Sequence, residues 1–469
     1  MYNHSKSITN IIAIILAMAF GTVGVGFGFL KAFMLVIGLS LLVISILKFE
    51  KAFLAFLILR PTFDIFSGIG LQIGHSFLNL SSVMSMLFVF SAITFIITQK
   101  KYIRLPKELY TFAFFLGFAL ISTVYNYNIV KWDGLFSFFR LVTIFFIMII
   151  IWLEYRDNKK INILLICLIA STIIPLIYAI FQIFGHFNMT VEDGIPRING
   201  GFAHSNVFAS YVGIFIILAF SILMFRKHSK LIEKVMLYLW ITVLFLCLFY
   251  TYGRGAWLSL CLALAVTGLL FFRKKIFLVS FLVVMILLSL PLIFENNTFF
   301  TTVANRFEDV QFWNDSRVWT DASNSLGWRV LYWKDLLIEA CKSPITGYGL
   351  GSVVNIGKEH MEAHNNYVQV FFETGFGALF YFLSLFMFLI KAFKRAKAAE
   401  NSEKYVCIAA IGLIVYFFIL SISAHLIRNT VIQIYIFAVA TTIICYDKLS
   451  VKEKISDKLG SKPSKQAQE

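Results

Sequence analysis

Asn206-Val207-Phe208-Ala209-Ser210-Tyr211-Val212-Gly213-Ile214-Phe215-Ile216-Ile217-Leu218-Ala219-Phe220-Ser221-Ile222-Leu223-Met224-Phe225 runs straight into Arg226-Lys227-His228-Ser229-Lys230. An uncharged run of about twenty residues is what a helix needs to cross the hydrocarbon core of a bilayer. The basic cluster ends it at a water boundary. The same unit, apolar run then polar break, recurs along most of the chain. With 59% hydrophobic residues, 14% charged ones and a mean hydropathy of +0.82, the chain reads as an all-α polytopic membrane protein. Backbone groups in lipid must bond within their own segment, which favours helices. The runs lack the alternation of barrel strands.

The predicted spans are 8–24, 29–47, 50–61, 79–99, 109–124, 134–153, 161–185, 204–225, 234–252, 254–272, 275–294, 366–391, 405–424 and 428–446. The third is short, carries Arg60-Pro61 and also fits a re-entrant segment, so 12 to 14 transmembrane helices are expected. The first span has too long an apolar core for a cleaved leader and is expected to stay as an anchor. Residues 1–294 then hold helices and short loops, 295–363 one long loop, and 364–446 the last helices. Residues 447–469 form a basic tail expected to be disordered. Of the six cysteines only Cys341 falls outside a span, and no pair has metal-ligand spacing.

The net charge of +16 is a topology signal. Most Lys and Arg fall in alternate loops, such as Lys100-Lys101, Arg226-Lys227, Arg273-Lys274-Lys275 and the C-terminal tail. That positive-inside pattern places both termini in the cytoplasm and the loop 295–363 outside. Attraction to anionic lipids is secondary, and a nucleic-acid partner is excluded.

Within the long loop, 296–320 has no period. From Ser325 to Cys341, Leu326, Val330, Trp333, Leu337 and Ala340 recur at helical spacing, which predicts an amphipathic helix on the outer face. Pro344 ends it, and Gly347-Tyr348-Gly349-Leu350-Gly351 follows. Those glycines read as a sharp turn or as backbone open to a phosphate.

Candidate site residues gather at the outward ends of the spans. Arg197 precedes the span that opens at His204-Ser205-Asn206. Arg254 lies between two spans with almost no loop, flanked by Gly253 and Gly255. A guanidinium so placed is costly unless used, and its planar fork suits phosphate. Arg329 lies on the amphipathic helix, and His364-Asn365 closes the loop. Arginines on one face above the hydrocarbon point to the diphosphate of a lipid-linked substrate, with His364 able to take a proton from a hydroxyl. Each also has a plainer reading: a snorkelling arginine, or an asparagine capping a helix. Arg140 is an intramembrane charge expected to pair with a carbonyl or with Glu373. No zinc spacing, nucleophile elbow or Walker loop is present.

Taken together, Arg197-Ile198-Asn199-Gly200-Gly201-Phe202, Gly253-Arg254-Gly255, and the run from Arg329 through Gly347-Tyr348-Gly349 to His364-Asn365-Asn366-Tyr367 resemble the O-antigen ligase and polymerase superfamily of bacterial membrane glycosyltransferases. Gly253 stands where the family has Ser. The resemblance implies a cofactor-free, metal-independent, inverting transferase at the outer face of the cytoplasmic membrane. Its donor would be a glycan on undecaprenyl diphosphate. It implies His364, Arg254 and Arg197 as catalytic, and Arg329, Asn365, Asn206 and Gly349 as substrate-binding. Expected partners are the lipid-linked donor, a glycan acceptor, membrane lipids and other polysaccharide-assembly membrane proteins. The reading favoured is a polymerase of lipid-linked repeat units. The alternatives are a ligase to a lipid core or other acceptor, and a flippase. A flippase would need charges lining a path across the membrane, whereas here they collect on one face.

Overall fold

The computed structural model describes residues 48–66, 70–73, 76–98, 105–192, 195–226, 231–271, 325–399 and 401–460. The spans expected at 8–24, 29–47 and 275–294, and the first half of the long loop, lie outside the described residues. Helix α1 (Phe49–Leu59) runs into a 3-10 segment, Arg60–Phe66, and a hairpin of β1 (Gly70–Ile73) and β2 (Ser76–Asn79). Then come α2 (Leu80–Thr98), α3 (Lys107–Tyr125), α4 (Tyr127–Glu154), α5 (Asn158–Ala170) and α6 (Ile173–Gly185). A second hairpin joins β3 (Thr190–Glu192) to β4 (Ile195–Arg197). Helices α7 (Ser205–Phe225), α8 (Leu231–Tyr250) and α9 (Arg254–Phe271) follow. After the undescribed stretch come α10 (Ser325–Ala340), α11 (Ser352–Ile356), α12 (Asn366–Thr374), α13 (Gly377–Ala398), α14 (Asn401–Leu420) and α15 (Thr430–Gly460).

Among the described residues, nine helices are long and apolar enough to cross a membrane, counting α5 and α6 as one, and Thr430–Tyr446 is a shorter apolar helix. The chain is an all-α polytopic membrane protein, with two small hairpins that the apolar pattern did not announce. One expected span is narrowed to its re-entrant alternative, and one is corrected. At 11 residues, α1 rises only about 16 Å and cannot cross. The run 366–391 is cut at Gly375 (φ 55°), where a Cβ would lie 2.5 Å from the Ile345 carbonyl oxygen. Only α13 spans; α12 packs under the long loop. The last helix continues to Gly460, through residues the sequence reading gave to a disordered tail.

Helices α7, α14 and α15 form the centre, and nearly every side chain from Phe208 to Ala219 is buried. The surrounding helices turn large apolar side chains outward, including Phe114, Phe184, Leu239, Leu258 and Phe386, as a lipid-facing surface requires. Buried polar groups in this core are paired: Tyr381 with Gln433 at 2.7 Å, Tyr211 with Ser171 at 2.7 Å, and Tyr435 with the Leu57 carbonyl at 2.7 Å.

The two ends of the bundle differ. At one end the ion pairs Lys160–Glu50 (3.1 Å), Lys391–Glu108 (3.1 Å) and Arg395–Glu403 (2.7 Å) gather basic loops. At the other, the 3-10 segment, the second hairpin, the α8–α9 turn, the stretch 325–376 and the loop 421–429 come together. Arg197 bonds Thr251, Asn366 bonds Ser421, and Arg60 bonds Thr430.

The helix expected on the membrane surface instead packs on α12. Its buried seam is Tyr332, Leu336 and Ala340, against Val353, Ala363, Val368 and Phe372. The expected stripe holds at Ala340 and Trp333 and fails at Leu337, which is 41% exposed. The sequence pattern recorded apolar positions but not the partner, and a protein partner selects a different face from lipid.

Candidate functional site

Gln182, at the end of α6 and fully buried, ties down the loop that carries Arg197. Its side-chain oxygen accepts the N–H groups of Asn199 (3.1 Å) and Gly200 (2.9 Å), and its nitrogen donates to Asn199 Oδ1 (2.9 Å). Arg197 closes β4 and is 4% exposed. Its Nε donates to the Thr251 carbonyl at 2.6 Å, and its Nη2 donates to Asn206 Oδ1 at 2.7 Å. Asn206 lies in the first turn of α7, where His204 Nδ1 accepts its N–H as an N-cap. Three segments distant in sequence therefore meet at one guanidinium, with Asn206 as its positioner.

The turn Thr251–Gly253 that receives Arg197 also launches Arg254. Tyr252 holds φ at 52°, a left-handed conformation that non-glycine residues adopt at a cost. A Cβ at Gly253 would sit 3.0 Å from Ala209 Cβ, so the glycine permits the approach of α7. Gly255 packs in the same way on Ser423, in the loop 421–429. Arg329, from α10, faces Arg254. Burial and the Arg254 charge together lower its pKa. Its Nε is enclosed with no hydrogen-bond partner among the described residues. Two arginines from separate elements crowd one another, an arrangement that attracts an anion.

His364 lies within electrostatic reach of Arg329. Its φ of 50° is again left-handed, and the backbone is pinned on both sides. Trp333 Nε1 donates to the Ala363 carbonyl at 2.7 Å, and Asn365 Oδ1 caps α12 by accepting from Tyr367 (3.0 Å) and Val368 (3.2 Å). Strained backbone persists where neighbours over-determine it. The imidazole lies with ring centroids 6.5 Å from Trp328 and 5.1 Å from His425. Burial, then the charges of His425, Arg329 and His204, push its pKa down to about 4. His364 is therefore neutral at pH 7, with a lone pair available.

A second set of residues adjoins it, of which only Glu373 stands out in the sequence as a charge. Glu362 pairs with Arg428 (Nε to Oε1, 3.2 Å) and accepts a short hydrogen bond from Gln369. Burial raises the Glu362 pKa, but Arg428, His425 and the Gln369 bond outweigh it and hold the carboxyl below its usual value. Burial also lowers the His425 pKa, and its Nδ1 has no partner among the described residues. Gln369 also donates to Glu373 Oε1 at 3.0 Å, and burial pushes Glu373 up to about 7. Asn366 locks the loop 421–429 in place: its Oδ1 accepts the Ile427 N–H at 2.7 Å.

The geometry separates the sequence candidates. Arg197 and Asn206 are in direct contact, Arg329 lies within electrostatic reach of Arg254, and His364 lies within reach of Arg329. Asn365 spends its side-chain oxygen on the helix cap. Gly349 (φ 92°) gives its N–H to the Glu373 carbonyl and to Ser122 Oγ, both at 2.9 Å, which makes it part of a packed turn. Arg140 does not meet Glu373; its Nη2 donates to Ser137 Oγ at 2.9 Å. Arg428 had the same signal as Arg254, a charge in a minimal gap between two spans. The span predicted to begin at 428 covers it.

Residues 237–383 match the family described as O-antigen ligase. The matched stretch includes Arg254, Arg329, the glycine turn and His364, whereas Arg197, Asn206, His425 and Arg428 lie outside it. The match supports the O-antigen ligase and polymerase superfamily. No curated protein and no solved structure matches the chain.

Proposed function

We propose that this protein is an inverting, metal-independent membrane glycosyltransferase that joins lipid-linked oligosaccharide repeat units into a bacterial surface polysaccharide. The site end of the bundle faces outward and the basic end faces the cytoplasm. The observation that carries the reading is Arg329 within electrostatic reach of both Arg254 and a neutral His364. Neighbouring guanidinium groups suit the diphosphate of an undecaprenyl-linked donor.

In the reaction, the acceptor hydroxyl gives its proton to His364 Nε2 or Nδ1 as its oxygen bonds the anomeric carbon from the face opposite the diphosphate. The bond from that carbon to the diphosphate oxygen breaks, and the electron pair leaves on the diphosphate. Arg197, Arg254 and Arg329 stabilise the charge that develops there. A pKa of about 4 makes His364 a weak base while burial and the surrounding cations outweigh Glu362. A bound diphosphate reverses the sign of its surroundings and strengthens the base. Base strength is thereby coupled to donor binding.

The test is to incubate the purified full chain with a lipid-linked oligosaccharide and follow product length. A ladder of products supports a polymerase. A single transfer to a different acceptor makes it a ligase, and no new glycosidic bond overturns the enzyme reading.

A further inference from the structure

Arg197, Arg254 and Arg329 leave a second group of arginines unexplained. Arg60 comes from the 3-10 segment, Arg140 from α4 and Arg428 from the loop 421–429. Arg140 Nη2 and Arg428 Nη1 both donate to Ser137 Oγ, at 2.9 and 3.1 Å. That hydroxyl gives its own proton to the Asp133 carbonyl at 2.8 Å, so it acts as acceptor for both. Two guanidinium groups sharing one oxygen repel each other.

Two of the three make ion pairs, and Glu373 and Asp133 also act on Arg428. Arg60 pairs with Asp64 at 3.1 Å, and Arg428 with Glu362 at 3.2 Å. Arg140 makes no ion pair among the described residues, although Asp64 and Glu362 lie within electrostatic reach, and its Nε is enclosed with no acceptor. It lies on a membrane-spanning helix, where an ionisable residue is expensive to keep. The group is not sealed in: the Arg428 and Glu362 side chains retain 24% and 20% exposure.

Its position relative to His364 gives it meaning. His425, three residues before Arg428, is in ring contact with His364. Trp328, next to Arg329, touches the same imidazole. The histidine pair thus stands between the two arginine groups. A transferase needs its base between donor and acceptor, because the base must reach the acceptor hydroxyl.

We propose that Arg140, with Arg428, forms a second anion-binding site that holds a negatively charged group of the acceptor. That group is either the diphosphate of a lipid-linked acceptor or a carboxylate on its sugar. Both suit the Nε–H and remaining Nη–H groups of Arg140. The inference rests on the glycosyltransferase reading. It adds that the acceptor is itself anionic, and it makes Arg140 an acceptor-binding residue.

The experiment uses the full chain in nanodiscs and two probes, farnesyl diphosphate and a glucuronic-acid disaccharide, titrated by calorimetry. If the acceptor anion is a diphosphate, the wild type binds two farnesyl diphosphates, Arg140→Gln binds one, and Arg254→Gln binds one. If it is a carboxylate, the wild type binds one farnesyl diphosphate and one disaccharide, and Arg140→Gln weakens only the disaccharide, by tenfold or more. Arg140→Lys keeps the charge without the fork and is expected to fall between, which also covers poor folding of the Gln variant. Wild-type binding of both probes by Arg140→Gln, or by Arg140→Lys where the Gln variant does not fold, overturns the proposal. Transfer activity is assayed separately. A protein that makes no glycosidic bond but loses a probe with Arg140→Gln refutes the transferase reading and leaves the anion site standing.

Discussion

The pH dependence of donor capture tests His364 most sharply. Its pKa of about 4 is set by burial and by the neighbouring cations. For kcat/KM with respect to the donor, the group that titrates belongs to the free enzyme. At pH 5 a base of pKa about 4 is still about 90% neutral, whereas an ordinary histidine of pKa about 6.5 would be only about 3% neutral. The two cases differ by about 30-fold in rate at that pH, a gap that purified enzyme and a fixed low donor concentration can resolve. Sugar diphosphate diesters stay ionised across this range, so the limb belongs to the protein. Arg329→Gln removes one of the charges that depress the base. At an effective dielectric between those of protein and water, a neighbouring charge contributes roughly 1 kcal/mol. The acid limb should therefore move up by less than about one pH unit. A wild-type limb at 6 or above, in protein that stays folded at pH 5, would show that His364 is not the buried base described here. A downward shift on Arg329→Gln would contradict the electrostatic coupling.

Other consequences follow from single contacts. Asn206→Ala removes the 2.7 Å acceptor of Arg197, and should lower donor kcat/KM by about 10- to 100-fold, the worth of a hydrogen bond to a charged group, while membrane insertion is unchanged. Gly347→Ala places a Cβ 2.6 to 2.7 Å from the backbone of Glu373 and Gly375 at φ 65°, and should destabilise by about 1–3 kcal/mol, read as a lower thermal midpoint. His364 binds a proton in the unfolded chain but not in the folded one between pH 6.5 and about 4, so stability falls as pH drops through that window. The fall should be shallower in His364→Gln.

The fold was legible because lipid imposes a simple rule on sequence. Runs such as 206–225 declare themselves, and the basic loops Arg226-Lys227 and Lys391–Arg395 mark one end of the bundle. Arg254 was legible because a charge with no loop to carry it into water needs a reason. What sequence could not supply was the partner of each face. The stripe predicted on α10 holds at Trp333 and Ala340 but misses Tyr332 and Leu336, which α12 takes in place of Leu337. Gly375 hid inside an apolar run and cut it. His425 and Arg428 were hidden by a span boundary drawn through them, and Glu362 by its place in a polar loop. Nothing in the sequence says that Ser137 and Arg428 share a hydrogen bond across nearly 300 positions.

The most direct measurement is single-turnover glycosyl transfer by His364→Ala, with donor binding followed in the same preparation. A base role predicts a rate at least about 100-fold below wild type with the donor still bound, since general base catalysis contributes about 10²–10⁴. A rate near wild type would remove His364 from the chemistry and leave the arginines as a binding site alone.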